Sequence, residues 1–185
     1  MNIEEKNKLI EEIKDEIFKS QKVYVEKISD DVKLPFYAKI GDAGMDIRST
    51  IDIIIYPKET IVLPTGLKMA IPKGFEIQVR PRSGLSLKTP LRIVNSPGTI
   101  DSGYKDEIGI IINNSSCTIF ENKKDCPIYT IDEKGNKFGA YSIKKGDRIA
   151  QLVLSRFETI EFELTDNVEL MGINRGGGFG SSGIK

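Results

Sequence analysis

Chemistry is most concentrated in Pro97-Gly98-Thr99-Ile100-Asp101-Ser102-Gly103-Tyr104. A turn and a short β-branched run lead to one carboxylate, and an aromatic follows three positions later. The chain contains no histidine. If it moves protons near neutral pH, a carboxylate such as Asp101 has to receive them.

Four other segments carry groups suited to a phosphorylated ligand. In Arg80-Pro81-Arg82-Ser83-Gly84-Leu85-Ser86, two guanidiniums, a hydroxyl and a glycine share one turn. Forked guanidinium donors suit phosphate, and glycine lets backbone N–H groups approach it. Lys145-Gly146-Asp147-Arg148-Ile149-Ala150-Gln151 is a turn entering a strand, and alternation would set Ile149 opposite Arg148 and Ala150. Ala43-Gly44-Met45-Asp46-Ile47-Arg48-Ser49 brings an acid into a strand. The glycine-dense tail combines Arg175, Phe179, Gly180, Ser181 and Ser182, the composition of a flap that could close on a phosphorylated ring compound. Taken singly, each also has an ordinary reading: a solvated turn, a strand start, a turn cap and a linker.

The elements that must position these groups are mostly short strands. Examples are Ile53–Ile55, Thr60–Leu63, Phe75–Val79, Ile108–Ile112, Arg148–Leu154 and Ile160–Leu164. Pro57, Pro64-Thr65-Gly66, Pro72-Lys73-Gly74, Pro97-Gly98 and Lys145-Gly146-Asp147 punctuate them. Close, regular spacing of short strands predicts an antiparallel sandwich or barrel, and the lack of strand–helix–strand alternation argues against a parallel nucleotide-binding sheet. Leu9, Ile10, Ile13 and Ile17 predict an amphipathic helix over 3–18. Residues 114–142 form an excursion, with a candidate extra hairpin around the polar turn at 132–137. The expected organisation is a single domain over 1–185: a helical extension at 1–20, a β-barrel at 22–171 and a glycine-rich arm at 172–185.

With 185 residues, 39% of them hydrophobic and 29% charged, the chain is of the globular class and long enough for one sizeable core. Lys plus Arg balances Asp plus Glu at 27 each, which argues against nucleic-acid binding through bulk charge. Cys117 and Cys126 lie close enough in sequence to bridge, but two free thiols fit a reducing compartment. With so few soft ligands, a protein zinc site is not expected. No apolar run nears the roughly 20 residues a membrane span needs. The amino-terminal residues lack a signal peptide's apolar core, so a cytoplasmic location is expected.

Taken together, the five segments resemble the five ordered motifs of the homotrimeric dUTP diphosphatase (dUTPase) family, at residues 43–49, 80–86, 95–109, 146–153 and 175–183. The resemblance covers 22–184. It implies an all-β, jelly-roll-like distorted barrel that hydrolyses dUTP to dUMP and diphosphate. That reaction limits uracil in DNA and supplies dUMP for thymidylate synthesis. It implies Mg2+ held by the triphosphate and water, with no direct protein ligand, and a homotrimer whose sites draw on all three chains. By the same resemblance, Asp101 is the base for the attacking water. Tyr104 packs on the deoxyribose, and Asn95 with the backbone of 95–101 reads uracil. Ser83, Gly84, Arg82, Gln151 and Arg148 contact the phosphate chain. Arg175, Ser181 and Ser182 hold the γ-phosphate, while Phe179, beside Gly180, covers the base. Asp46 is a supporting acid.

The chain departs from the family pattern in two places. Three residues separate Arg175 from Phe179 where four are usual, and Asp106 stands where glycine usually follows the tyrosine by two. The related dCTP deaminases need a glutamate ten positions after the aspartate. Ile111 stands there, so deamination is not expected. A nucleotide-bound regulatory protein acting through 114–142 is the alternative from another class.

Overall fold

The structure is a computed structural model and describes residues 2–8, 20–118, 120–174 and 176. Strands dominate the described residues: β1 Tyr24–Lys27, β2 Met45–Arg48, β3 Ile53–Ile55, β4 Thr60–Pro64, β5 Leu67–Ala70, β6 Phe75–Arg80, β7 Leu91–Ile93, β8 Gly98–Ile100, β9 Gly109–Asn114, β10 Ile128–Thr130, β11 Ala140–Ile143 and β12 Arg148–Arg156. The fold is all-β. The strands form four small sheets, ordered β1-β5, β10-β11-β3, β2-β12-β6-β8 and β4-β9-β7.

Period-two patterning drives this arrangement. In β9, Ile110, Ile112 and Asn114 face inward while Gly109, Ile111 and Asn113 lie half-buried on the other face. Ile47, Ile55, Leu63, Leu91, Ile110, Ile143 and Leu152 meet in one core. The four-stranded sheet carries Asp46, Arg80, Arg148 and Gln151 and runs directly into Asp101. In it, β12 pairs antiparallel with β2 on one side and β6 on the other, and β6 pairs with β8.

Four expectations need correction. The segment after residue 114 is not a hairpin: β10 pairs with β11 in parallel, Tyr129 opposite Tyr141, with ring centroids 5.8 Å apart. The polar turn is the tip of a wider loop, because the chain crosses over before returning beside its own start. Residues 160–164 have the alternation of a strand but no strand partner among the described residues, and they lie exposed. The start of β12 does not alternate. A register shift between Arg148 and Ala150 sends both Ile149 and Ala150 into the core. Finally, Ser83–Lys88 is a short helix and not a bare turn. Of the amino-terminal helix, residues 3–8 are helical, while Leu9, Ile10, Ile13 and Ile17 lie outside the described residues. Both cysteines are free, Cys117 exposed and Cys126 buried. Among the described residues no helix is long and apolar enough to cross a membrane.

Candidate active site

Three of the five segments converge on one carboxylate. Asp46 lies on β2 directly opposite Gln151 of β12, and Gln151 in turn faces Arg80 at the end of β6. The chain leaves β6 through Pro81, so Arg82 turns back over this row. Its Nε donates to Asp46 Oδ1 at 2.8 Å and its Nη2 to Oδ2 at 3.4 Å. Arg148 Nη1 donates to Oδ2 at 3.1 Å and Gln151 Nε2 to Oδ1 at 3.4 Å. Arg82 also donates to the Arg148 carbonyl at 3.1 Å. Partial burial would raise the Asp46 pKa. The hydrogen bond and charge of Arg82, joined by Arg148, outweigh it and hold the carboxyl below its ordinary value. Asp46 therefore stays ionised and braces two guanidiniums that would otherwise repel each other.

Arg82 is also the residue from which the helix Ser83–Lys88 starts, with Ser83 and Gly84 exposed at its first positions and Leu85 buried. Beside the Asp46 cluster a cavity of about 300 Å³ is lined by Phe36, Ala38, Asp46, Arg48, Arg148 and Gln151. Arg48 was not singled out from the sequence. It sits two residues from Asp46 on the same strand, so the alternation that placed one could have placed both. Its Nη1 donates to the Gly146 carbonyl at 2.6 Å, tying the turn before β12 to β2.

The Asp101 segment forms a second centre. Asp101 follows β8 directly and is exposed. The Tyr104 amide donates to the Asp101 carbonyl at 3.1 Å, closing the turn. The Tyr104 hydroxyl donates to the Glu107 carbonyl at 2.9 Å, and the ring is 43% exposed. Glu107 is a second residue the sequence did not mark: its Oε1 accepts from the Gly66 amide at 2.6 Å and so ties this turn to the one before β5. Asn95 lies exposed before the cis Ser96–Pro97 peptide. Gly98 allows close packing here, since a Cβ would stand 3.0 Å from Asn95 Nδ2 and 3.3 Å from Val79 Cβ.

The two centres are far apart within one chain. β2 and β8 are the opposite edges of the four-stranded sheet. The register sets Gln151 opposite both Asp46 and Arg80, while Ile100 pairs with Ile77. Three strand spacings of about 4.8 Å across and four residues of about 3.4 Å along place Asp46 and Asp101 roughly 20 Å apart. The structure thus brings together Asp46, Arg82, Arg148 and Gln151, with Ser83 and Gly84 adjoining. It holds Asn95, Asp101 and Tyr104 at a separate place. Arg175, Phe179, Gly180, Ser181 and Ser182 lie outside the described residues.

An all-β chain with a carboxylate-braced cationic centre and a distant aspartate–tyrosine turn defines a class: proteins suited to a ligand with a phosphate end and a ring end. Comparison narrows it. The dUTPase family model matches residues 30–131 and 125–183. The deoxyuridine 5'-triphosphate nucleotidohydrolase of Fusobacterium nucleatum subsp. nucleatum is 42% identical over 167 residues, spanning 88% of this chain and 99% of the relative. The dUTPase of Staphylococcus bacteriophage 80alpha, solved with dUpNHpp, superposes with a TM-score of 0.76 at 34% identity, over 89% of this chain and all of that one. A variant dUTPase of phage phi11 of S. aureus, solved for the coordination of a structural Mg(II) ion, gives 0.70 at 30% identity, over 80% and 99%. The chain belongs to the dUTPase family.

Proposed function

We propose that this protein hydrolyses dUTP to dUMP and diphosphate by attack of water on the α-phosphate. The observation that carries this reading is the Asp46 cluster. Arg82, Arg148 and Gln151 lie 36, 102 and 105 positions from Asp46 in sequence, yet all three bond its carboxylate. A cationic centre assembled this way, in a member of this family, suits the phosphate chain of the substrate.

In this reading Asp101 orients the attacking water and takes its proton. Its exposure after β8 leaves it open to substrate, and no histidine competes for the role. Tyr104 packs on the deoxyribose face, where a 2′-hydroxyl would collide with the ring. Asn95 and the backbone of 95–101 meet the uracil edge, giving donors and acceptors that cytosine would mismatch. Ser83, Gly84 and Arg82 hold the phosphate chain near the leaving oxygen, and Gln151 and Arg148 hold it further along. Preformed charge at the leaving group is worth most where no reorganisation is needed, and the Asp46 brace supplies that order. Arg175, Ser181 and Ser182 take the γ-phosphate, and Phe179 with Gly180 closes over the base.

The donor set fits magnesium bound through the substrate. Both oxygens of Asp46 already accept from guanidiniums, so this carboxylate is engaged in the cationic cluster. Triphosphate oxygens and waters would hold the ion, as Mg2+ commonly allows. When bound, it draws charge from the departing diphosphate.

The active assembly in this reading is a homotrimer. A separation of roughly 20 Å between Asp46 and Asp101 exceeds what side chains of one chain bridge, so a site using both draws them from different copies. Ile160, Phe162 and Leu164 support this: they are 77%, 89% and 99% exposed, alternate with glutamates, and have the pattern of a strand whose partner lies elsewhere.

Diphosphate release from dUTP, UTP, dCTP and dTTP tests the function. Wild type should act on dUTP alone, and Asp101→Asn should lose activity by several orders of magnitude while folding normally. Equal turnover by the two proteins would overturn the mechanism.

A further inference from the structure

The segment between β9 and β11 has no role in the proposed reaction, yet it grips the element that carries Ser83 and Gly84. The helix Ser83–Lys88 has six residues and one buried side chain, Leu85. A helix this short does not hold itself together, so its position depends on outside ties. At its start the tie is Arg82 to Asp46. At its end, where the buried Thr89 hydroxyl donates to the Leu85 carbonyl at 2.8 Å, further ties come from the segment after β9. The Asn136 amide donates to the Lys88 carbonyl at 2.9 Å. Two residues on, Ser115 reaches the Pro90 carbonyl with its amide at 3.0 Å and its hydroxyl at 2.7 Å.

The gripping loop is itself braced. Glu133 accepts from the Thr130 amide at 3.0 Å and from Lys137 Nζ at 3.1 Å, and the Tyr141 hydroxyl donates to the Lys137 carbonyl at 2.8 Å. Its tip needs left-handed backbone, Gly135 at φ 107° and Asn136 at φ 47°, to aim the amide at Lys88. Between this loop and the phosphate turn lies a cavity of about 420 Å³, lined by Arg82, Gly84, Lys88, Thr130, Asp132 and Arg148. This segment thus forms one wall of the space beside the candidate phosphate contacts.

We propose that the segment between β9 and β11 is a positioning element for catalysis: its loop at 131–137, with Ser115, helps clamp residues 88–90 and fix where the helix presents Ser83 and Gly84. Asn136 is the positioning residue, acting through its backbone. The proposal rests on the phosphate role assigned above to Ser83 and Gly84. The helix is only about 9 Å long, so movement at its clamped end is transmitted to the phosphate turn.

Asn136→Pro removes the N–H and forbids the left-handed backbone. Asn136→Gly keeps both. In the full-length protein, Asn136→Pro should lower kcat for dUTP about tenfold, the scale of a small misplacement of a binding group, with little change in KM. It should also speed amide exchange at Ser86 and Thr89, whose bonds to Arg82 and Leu85 form the helix. Asn136→Gly should match wild type in both measurements. If the proline variant does not fold, Asn136→Val carries the same test, since it keeps the N–H but strains the backbone at φ 47°. Wild-type kcat and exchange in the folded proline or valine variant would overturn the proposal, as would a glycine variant as impaired as they are. A wild-type protein that releases no diphosphate from dUTP would refute the proposed function instead, and the exchange rates would still report on the clamp.

Discussion

Replacing Asp46 by alanine should damage stability and turnover together, and the structure ranks its two partners. Asp46 and Arg82 side chains are only 21% and 23% exposed, and their shortest contact is 2.8 Å. Hydrogen bonds to charged groups contribute about 1.5–3 kcal/mol when little screened. Arg148 is 51% exposed and its contact is 3.1 Å, so screening reduces that pair to about 1 kcal/mol or less. The expected loss of stability for Asp46→Ala is about 2–3 kcal/mol, a fall in Tm of roughly 5–10 °C for a chain of this size. Double-mutant cycles read by chemical denaturation should give a coupling energy larger for Asp46 with Arg82 than for Asp46 with Arg148. In parallel, kcat should fall about 10- to 100-fold, because Arg82 loses the group that aims it. Equal couplings, a reversed order, or wild-type turnover in Asp46→Ala would refute the view that Asp46 braces the phosphate-binding arginines.

Tyr104→Ala should admit UTP, narrowing the ratio of kcat/KM for dUTP over UTP by about 10- to 100-fold, the scale of losing one exclusion contact; an unchanged ratio would remove Tyr104 as the sugar gate. Replacing Ile160, Phe162 and Leu164 together by serine should shift sedimentation from trimer to monomer and abolish turnover, since neither centre then meets the other. Asp46 contributes to the pH dependence of stability, because Arg82 and Arg148 hold its folded pKa below the ordinary carboxylate value. Its contribution is complete above the unfolded pKa near 4 and is lost as pH falls through the lower folded value. The Tm gap between wild type and Asp46→Asn should therefore stay constant from pH 7 to about 5 and shrink below about 4.

Most of the fold could be read from residues alone, because strand formation rests on local rules, whereas the site residues are grouped only by the family resemblance. Alternating apolar residues bounded by proline and glycine locate strands, and β3, β4, β6, β9 and β12 fall close to where that pattern puts them. Asp46, Arg82, Arg148 and Gln151 each carried a recognisable residue type in a turn or strand start. The structure adds that they touch. What resisted reading depended on pairing. The alternation at 160–164 is real, but alternation does not say which chain supplies the neighbouring strand, and here no described residue of the same chain does. The bulge at Ile149 had no local marker, because burying two successive apolar residues looks the same in sequence as one buried and one edge position.

The segment after β9 is the sharpest case. Its polar tip at 132–137 reads as a hairpin turn, since hairpins and wider crossings share the same turn residues. Asn114 anchors the ends of the segment in either case. Its side-chain amide donates to the Ile55 carbonyl at 2.9 Å and the Gly139 carbonyl at 2.8 Å, and its side-chain oxygen accepts from the Ser116 amide at 3.1 Å. This fully buried, fully bonded amide holds the two ends of the segment against β3. The parallel pairing of β10 with β11 rules out a hairpin between those held ends, and the bond from the Asn136 amide to the Lys88 carbonyl folds the tip back toward Lys88. Losing the buried partner in Asn114→Ala should therefore loosen the segment and the phosphate turn together, whereas changes at the exposed tip that preserve the Asn136 backbone should affect neither.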